Sequence, residues 1–461
     1  MRAAPTPGAG RVYLIMAVLG EALLLSGLLL RVAGSESLAL PLEGNGGQHA
    51  SLATALIFLG FGVKAGVLGL HLWLPLAHPV APTPASAVLS GVMIKAGLLG
   101  WMRFLPLGAE PWPLLGAAAL LLGLLAALIA VLIGLTQRQP KVLLAYSSIS
   151  QMGFMTLGIG AALLHPGAWP ALAPALALYA LHHGLAKGTL FLGVAALAQA
   201  TGAARRWALA MQALPALALA GLPLSSGFWA KDGLKQALSN LPAPWPEALS
   251  WLLPIGALGT TLLMLRLLWL QAHPQADSHA GGHATPTLRA PWLALLLASL
   301  ALGVPGLLVF LGIAQPGLPL PFAAAPALAY PAFSFALAML PLLLGAVLAV
   351  IALHWSGHTL TSRPHSPHSP HSPHSSHSQP LRTLPQITPG DLLGLIEAPL
   401  LRFWLAMLAL SAQLDRYRGP SPTPAHRWPR TLWLEERQLR RLPVAGAALL
   451  ALLLLMALLM R

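Results

Sequence analysis

The sequence predicts an all-α polytopic membrane helix bundle, and three observations carry that expectation. Hydrophobic residues make up 56% of the 461-residue chain and charged residues only 8%, at a mean hydropathy of +0.72. Apolar runs of about 20 residues, the length that crosses a hydrocarbon core, recur along the whole chain. Most arginines gather in short loops and in the C-terminal tail, as they do on the cytoplasmic side of a membrane protein. A signal peptide would leave a single apolar run at the N-terminus, so the repetition means many spans. The absence of cysteine excludes disulfides, thiolate metal sites and iron–sulfur ligation. The formal charge of +14 is explained by the basic loops and tail, with no nucleic-acid partner implied.

About eleven spans are expected, and the prolines and polar residues give each its character. The first, near 12–32, is apolar around Glu21. The second, near 52–74, holds Lys64 and His71, which share a helical face at i, i+7. It runs into Pro75, Pro79, Pro82 and Pro84, which interrupt helical hydrogen bonding. The third, 84–104, carries Lys95, and the fourth, 114–136, is apolar throughout. The fifth, 142–163, presents Ser147, Ser148, Ser150 and Gln151, able to hold waters between titrating groups. The sixth, 170–198, sets Tyr179, His183 and Lys187 at i, i+4 and i+8 on one face. Its His182 reads as a helix–helix hydrogen-bond partner. The seventh, 208–238, contains "GLPLSSGFWAKDG" around Pro223. Four more follow, near 249–271, 291–313, 331–354 and 443–460. The second and seventh are expected to be broken in mid-membrane, which is tolerated only where protein or a water-filled cavity satisfies the freed backbone.

Alternating sides puts Arg138, Lys141, Arg205, Arg206 and the basic stretch 355–442 together, on the cytoplasmic side. Glu36, Glu43, Glu110 and Glu247 fall opposite, with Arg103 the one exception. The expected organisation is a translocation core at 1–272, further transmembrane helices at 273–354, a His/Ser/Pro-rich cytoplasmic linker at 355–390, an amphipathic basic segment at 391–442 and a terminal span at 443–461. The Pro-His-Ser repeat holding His365, His368, His371, His374 and His377 could bind a transition metal, but without a carboxylate or cysteine it reads as a linker, and no metal site is assigned.

The lysines carry the chemistry. Of six in the chain, Lys64, Lys95, Lys187 and Lys231 lie inside apolar segments. A charge at the bilayer centre costs about 2.5–3.5 kcal/mol, so four of them demand a reason. A lysine near a helix end can snorkel to the interface, most easily Lys231. Burial favours the neutral form of a lysine and a nearby carboxylate the charged form, so one held between the two can take and release a proton. Moving a proton against roughly 150 mV needs about 3.5 kcal/mol, which a pKa swing of about 2.5 supplies.

The stretch "GVKAGVLGLHLWLPLAHPVAPTPASAVLSGVMIKAG", with "KVLLAYSSISQMGF", "LHHGLAKGTLFLG" and "AGLPLSSGFWAKDG" following in order, resembles the antiporter-like proton-translocating subunits of respiratory complex I. The same superfamily includes the Mrp sodium–proton antiporters and the membrane subunits of energy-converting hydrogenases and formate hydrogenlyase. The resemblance covers roughly 11–270. It implies that Lys64 is the central lysine of a broken helix, Lys95 the connecting lysine, His183 and Lys187 the pair that follows, and Lys231 the exit lysine. Leu76 stands where the family usually has an acidic residue. The first span resembles the family's sixth helix, so about five helices and the glutamate that pairs with the central lysine are expected on a second polypeptide or an upstream extension. Glu21 is the carboxylate candidate in this chain, although its position does not match that partner.

The implied function is proton translocation through Lys64, Lys95, His183, Lys187, Lys231 and His71, within a redox-driven complex of a bacterial inner membrane. No catalytic centre, nucleotide motif or cofactor ligand set is expected in this chain, so redox chemistry belongs to other membrane and peripheral subunits. Protons, or sodium, are the transported ions. A cation/proton antiporter or an inorganic-carbon uptake subunit without electron transfer is the alternative, and a non-conducting scaffold a third.

Overall fold

The computed structural model describes residues 7–33, 50–273, 289–310 and 339–351, and among them no strand occurs. Helix α1 (Pro7–Ala33) packs along α2 (Ala50–Ala65). Two short helices follow, α3 (Trp73–Val80) and α4 (Thr83–Val88). A π-helical turn, Leu89–Met93, joins α4 to α5 (Ile94–Phe104). Next come α6 (Pro113–Thr136), α7 (Pro140–Leu164) and α8 (Trp169–Gln199). The remainder comprises α9 (Gly202–Ala220), α10 (Ser226–Ser239), α11 (Trp245–Ala272), α12 (Arg289–Ala301), α13 (Val304–Phe310) and a further apolar helix, Met339–Ile351.

Among the described residues five helices are long and apolar enough to cross a membrane: Ala9–Ala33, Thr83–Phe104, Pro113–Thr136, Pro140–Leu164 and Trp245–Ala272. The expected span at 170–198 corresponds to α8, that at 208–238 to α9 and α10, and that at 291–313 to α12 with α13. The terminal span at 443–460, the histidine-rich tract and the segment 391–442 lie outside the described residues.

Helix α7 is the axis of the bundle: every residue from Val142 to Leu163 is buried. It lies closest to α6, where Gly123 and Gly153 face each other so tightly that a Cβ on Gly123 would stand 2.6 Å from the Gly153 carbonyl oxygen. Small residues that bring backbones together are how helices associate where no hydrophobic effect separates lipid from leucine. The periphery shows the complementary pattern, with Leu14, Leu25, Leu29, Leu121, Leu125 and Leu132 facing outward.

Two interruptions shape the bundle. The first does not start at the prolines. Helix α2 ends at Ala65, residues 66–72 are largely non-helical, and Pro75 and Pro84 sit in the first turns of α3 and α4, where a missing N–H costs nothing. Pro79 lies within α3. Gly66 at φ 73° and Gly69 at φ 90° turn the chain there instead, a conformation open to glycine without penalty. The freed Val63 carbonyl accepts the Trp73 indole N–H at 2.9 Å. The second interruption, 221–225, closes α9 with Gly221 in the left-handed conformation. There the Leu222 N–H donates to the Leu217 carbonyl and the Gly221 N–H to that of Ala218, the Schellman pattern. The hydroxyl of Ser225 then caps α10 by accepting the Phe228 N–H.

Candidate functional site

Helix α8 is continuous through residues 169–199, so the spacing of Tyr179, His183 and Lys187 does place them on one face, and all three are buried. Much of that face meets α7. Tyr179 donates its hydroxyl to the Gln151 Oε1 at 2.8 Å, and Gln151 in turn donates from Nε2 to Thr260 on α11 at 2.9 Å. One turn and two turns further along α8, His183 and Lys187 follow. The Lys187 ammonium nitrogen donates to the Leu144 carbonyl at 2.9 Å.

Lys95 reaches the same interior from another direction. It opens α5 immediately after the π-helical turn, a local widening that is frequent at functional sites. Gly91 in that turn touches Gly184 of α8, and a Cβ on Gly184 would lie 2.8 Å from the Gly91 carbonyl oxygen. Two residues without side chains thus bring Lys95 against α8 beside His183, which has both Lys95 and Lys187 within electrostatic reach.

Ser90, Ser148 and Leu144 lie between the two lysines. Lys95 donates to the Ser90 carbonyl, and the Ser90 hydroxyl meets that of Ser148 at 2.7 Å. Ser148 also bonds to the Leu144 carbonyl at 2.9 Å, the acceptor that Lys187 uses. All of these side chains are buried. Hydroxyls both donate and accept, so the Ser90–Ser148 pair can exchange a proton, whereas the Ser90 and Leu144 carbonyls only orient Lys95 at one end and Lys187 and Ser148 at the other. His183 lies beside this chain with neither ring nitrogen hydrogen-bonded among the described residues.

The other sequence candidates are placed differently. Lys64 forms an ion pair with Glu21 of α1, 43 positions earlier, on the outer side of the bundle: their side chains are 29% and 64% exposed. The pairing that helix spacing did not support is made by two helices lying alongside each other. His71 does not share a helical face with Lys64, because α2 ends between them; its Nδ1 accepts the Gly69 N–H at 3.2 Å in the intervening turn. Lys231 donates to the Ala220 carbonyl at 3.1 Å, bridging the gap between α9 and α10. There it meets the last carbonyls of α9, which carry partial negative charge. His182 bonds Ser226 on α10 at 2.8 Å.

The structure therefore brings Lys95, His183 and Lys187 into one buried cluster and leaves Lys64 with Glu21, His71 and Lys231 at separate positions. Sequence reasoning missed Ser90 and Thr260, which complete the polar interior. A serine five residues before a buried lysine was the available signal for Ser90. Of the serines it did single out, Ser150 is turned to the Ala127 carbonyl of α6 and serves packing.

Comparison with known proteins agrees with this architecture. The profile of the family described as NADH:quinone oxidoreductase/Mrp antiporter, TM, matches residues 4–245. Hydrogenase-4 component B of Escherichia coli (strain K12) is 32% identical over 257 residues, 50% of this chain and 38% of that protein. NADH-quinone oxidoreductase subunit N of Desulforudis audaxviator is 32% identical over 288 residues, 58% of this chain and 54% of that protein. The chain thus spans well under two thirds of these relatives. Among solved structures, a chain of the Mrp complex from Dietzia sp. DQ12-45-1b superposes at a TM-score of 0.55 with 23% identity, covering 72% of this chain and 70% of that one. A chain of respiratory complex I from Thermus thermophilus with bound aureothin gives 0.51 at 28% identity, covering 66% and 68%. On the family match over more than half its length, the chain belongs to the NADH:quinone oxidoreductase/Mrp antiporter transmembrane family.

Proposed function

We propose that this chain is the proton-translocating membrane subunit of a larger, redox-driven complex, of the NADH-quinone oxidoreductase or energy-converting hydrogenase type, in a bacterial inner membrane. The observation that carries the reading is the buried connection Lys95–Ser90–Ser148–Leu144–Lys187, with His183 beside it. Two lysines at membrane depth are costly to charge, and proton exchange with a hydroxyl pair lying between them is a use that offsets the cost. Each lysine takes a proton as its surroundings favour the ammonium and passes it on as they favour the amine. Such coupled groups titrate as a set. Lys64, paired with Glu21, and Lys231, at the break between α9 and α10, are read as the loading and release groups. The interruptions at 66–72 and 221–225 are read as lying at membrane depth, where half-helix ends build ion sites. Electron transfer, on this reading, belongs to the other subunits.

The same reading includes a neighbouring polypeptide. Glu21 lies near the midpoint of α1 on its outward face, and a carboxylate facing lipid at that depth is expensive. Protein covering the α1 face removes that cost.

The test uses the purified complex in liposomes, with proton flux driven by its own redox turnover or by an imposed potassium diffusion potential. Lys95→Ala and Lys187→Ala each lower translocation by at least about 100-fold with the complex still assembled. The exposed Lys235→Ala variant translocates at the parent rate. Normal flux through the Lys95→Ala, Lys187→Ala double variant rules the reading out.

A further inference from the structure

His78 is a fully buried imidazole that the path above does not use. It lies on α3, and neither ring nitrogen has a hydrogen-bond partner among the described residues. Buried polar atoms are bonded in nearly all native structures, so two buried ring nitrogens without a protein partner call for an explanation beyond packing. Its ring stacks on Phe191 of α8, centroids 4.4 Å apart and planes 18° from parallel. Phe191 is one helical turn beyond Lys187, on the same face.

The backbone around His78 is tied to both neighbouring helices. Its carbonyl accepts the Ser86 hydroxyl at 3.3 Å. Three residues on, where α3 ends, the Ala81 carbonyl accepts the Lys141 ammonium at 2.8 Å. Lys141 stands at the start of α7, one turn before Leu144, whose carbonyl holds Lys187. His78 therefore sits in a frame of α3, α7 and α8 with Lys141 at its outer corner and Lys187 at its inner one, both lysines being within electrostatic reach of the ring.

We propose that His78 is a further proton carrier, connecting Lys187 with the face of the bundle where α3 ends and α7 begins. The proposal rests on the reading that Lys187 moves protons. The imidazole accepts a proton at one ring nitrogen and releases the one on the other, so one proton crosses the ring and the neutral tautomer is left inverted. The acceptor on the inner side is the Lys187 amine, which becomes an ammonium; rotation of the ring, or return transfer, resets the tautomer. Traffic in the opposite direction reverses these steps. The stacked Phe191 keeps the ring in a flat slot in which it presents its nitrogens edgewise rather than packing them against a carbonyl.

Proton flux is measured in liposomes holding the purified complex, under an imposed potassium diffusion potential, with a pH-sensitive dye in the lumen. His78→Phe preserves the apolar stack and lowers flux by at least about tenfold. His78→Gln retains polarity without a titratable nitrogen, gives the same loss, and decides the matter if the phenylalanine variant does not assemble. His78→Ala is equally impaired and is restored by added imidazole but not by equal pyrrole, which has the same shape and no basic nitrogen. Parent flux in His78→Phe or His78→Gln beside a silent Lys187→Ala overturns the His78 proposal and leaves the wider reading standing. Loss in all three variants that imidazole does not relieve, in intact complex, assigns His78 to packing and overturns it too. Parent flux in Lys187→Ala removes the wider reading itself, and the proposal with it.

Discussion

Ser148 is where a small side chain does most for the proposed path. It touches Ser90 and shares the Leu144 carbonyl with Lys187, so it links the two lysine neighbourhoods. Ser148→Ala removes a linking hydroxyl while leaving Lys187 bound to Leu144. A hydrogen bond of about 1 kcal/mol corresponds to roughly a fivefold effect, and dye-monitored proton flux in liposomes should fall by about that factor or more. Ser150→Ala, which loses only a bond to the Ala127 carbonyl, should leave flux within about twofold. Equal flux in Ser148→Ala and the parent would show that protons bypass the serines. Glu21 is the other informative residue. Glu21→Gln keeps a hydrogen-bonding group beside Lys64 and deletes the charge, so it separates an electrostatic role from a packing role. Flux is expected to drop with assembly unchanged.

Elements, rather than residues, decide where these groups meet. The π-helical turn between α4 and α5 and the bare contact of Gly91 with Gly184 bring Lys95 to α8. Gly184→Ala pushes a methyl group to within 2.8 Å of the Gly91 carbonyl, so backbone must move. Overpacking of this kind costs about 1–3 kcal/mol, and the variant should show a lowered midpoint of thermal aggregation in detergent together with reduced flux. Gly10→Ala, where nothing lies within 4 Å, is the matched control and should change neither. The α9–α10 break follows the same logic. Its Schellman closure at Gly221, the Ser225 cap and the Lys231 bond to Ala220 satisfy freed backbone groups locally.

At the scale of the whole molecule, the uneven outer surface matters most. Leu14, Leu25 and Leu29 of α1 face outward as lipid-facing residues do, yet Glu21 interrupts them. A Leu25→Cys variant in native membranes should cross-link to a second polypeptide with a short bifunctional reagent, while Leu132→Cys on α6 serves as the comparison for a leucine without a charged neighbour. Cross-linking at Leu132 and none at Leu25 would count against a partner on the α1 face. The tract 364–378 bears on the whole chain in a different way. Its replacement by a Gly/Ser segment of equal length should leave activity unchanged, and stoichiometric zinc or nickel in the purified protein would contradict the linker role.

Hydropathy and helical spacing made the helical membrane class legible, along with the buried lysines of α5 and α8 and the common face of Tyr179, His183 and Lys187. These are local properties: a 20-residue apolar run and a 3.6-residue period are both written in neighbouring residues. What remained hidden depended on residues far apart in the chain. Ser90 meets Ser148 across 58 positions and Lys64 meets Glu21 across 43. Whether His71 joins Lys64 turned on the conformation of Gly66 and Gly69, since two left-handed residues end a helix that the i, i+7 spacing assumed to be continuous. His78 gave no periodic signal at all. That its ring nitrogens are buried without a hydrogen-bond partner among the described residues, and that it lies between Lys141 and Lys187, holds only once α3, α7 and α8 pack together, because burial and pairing are properties of the space between helices.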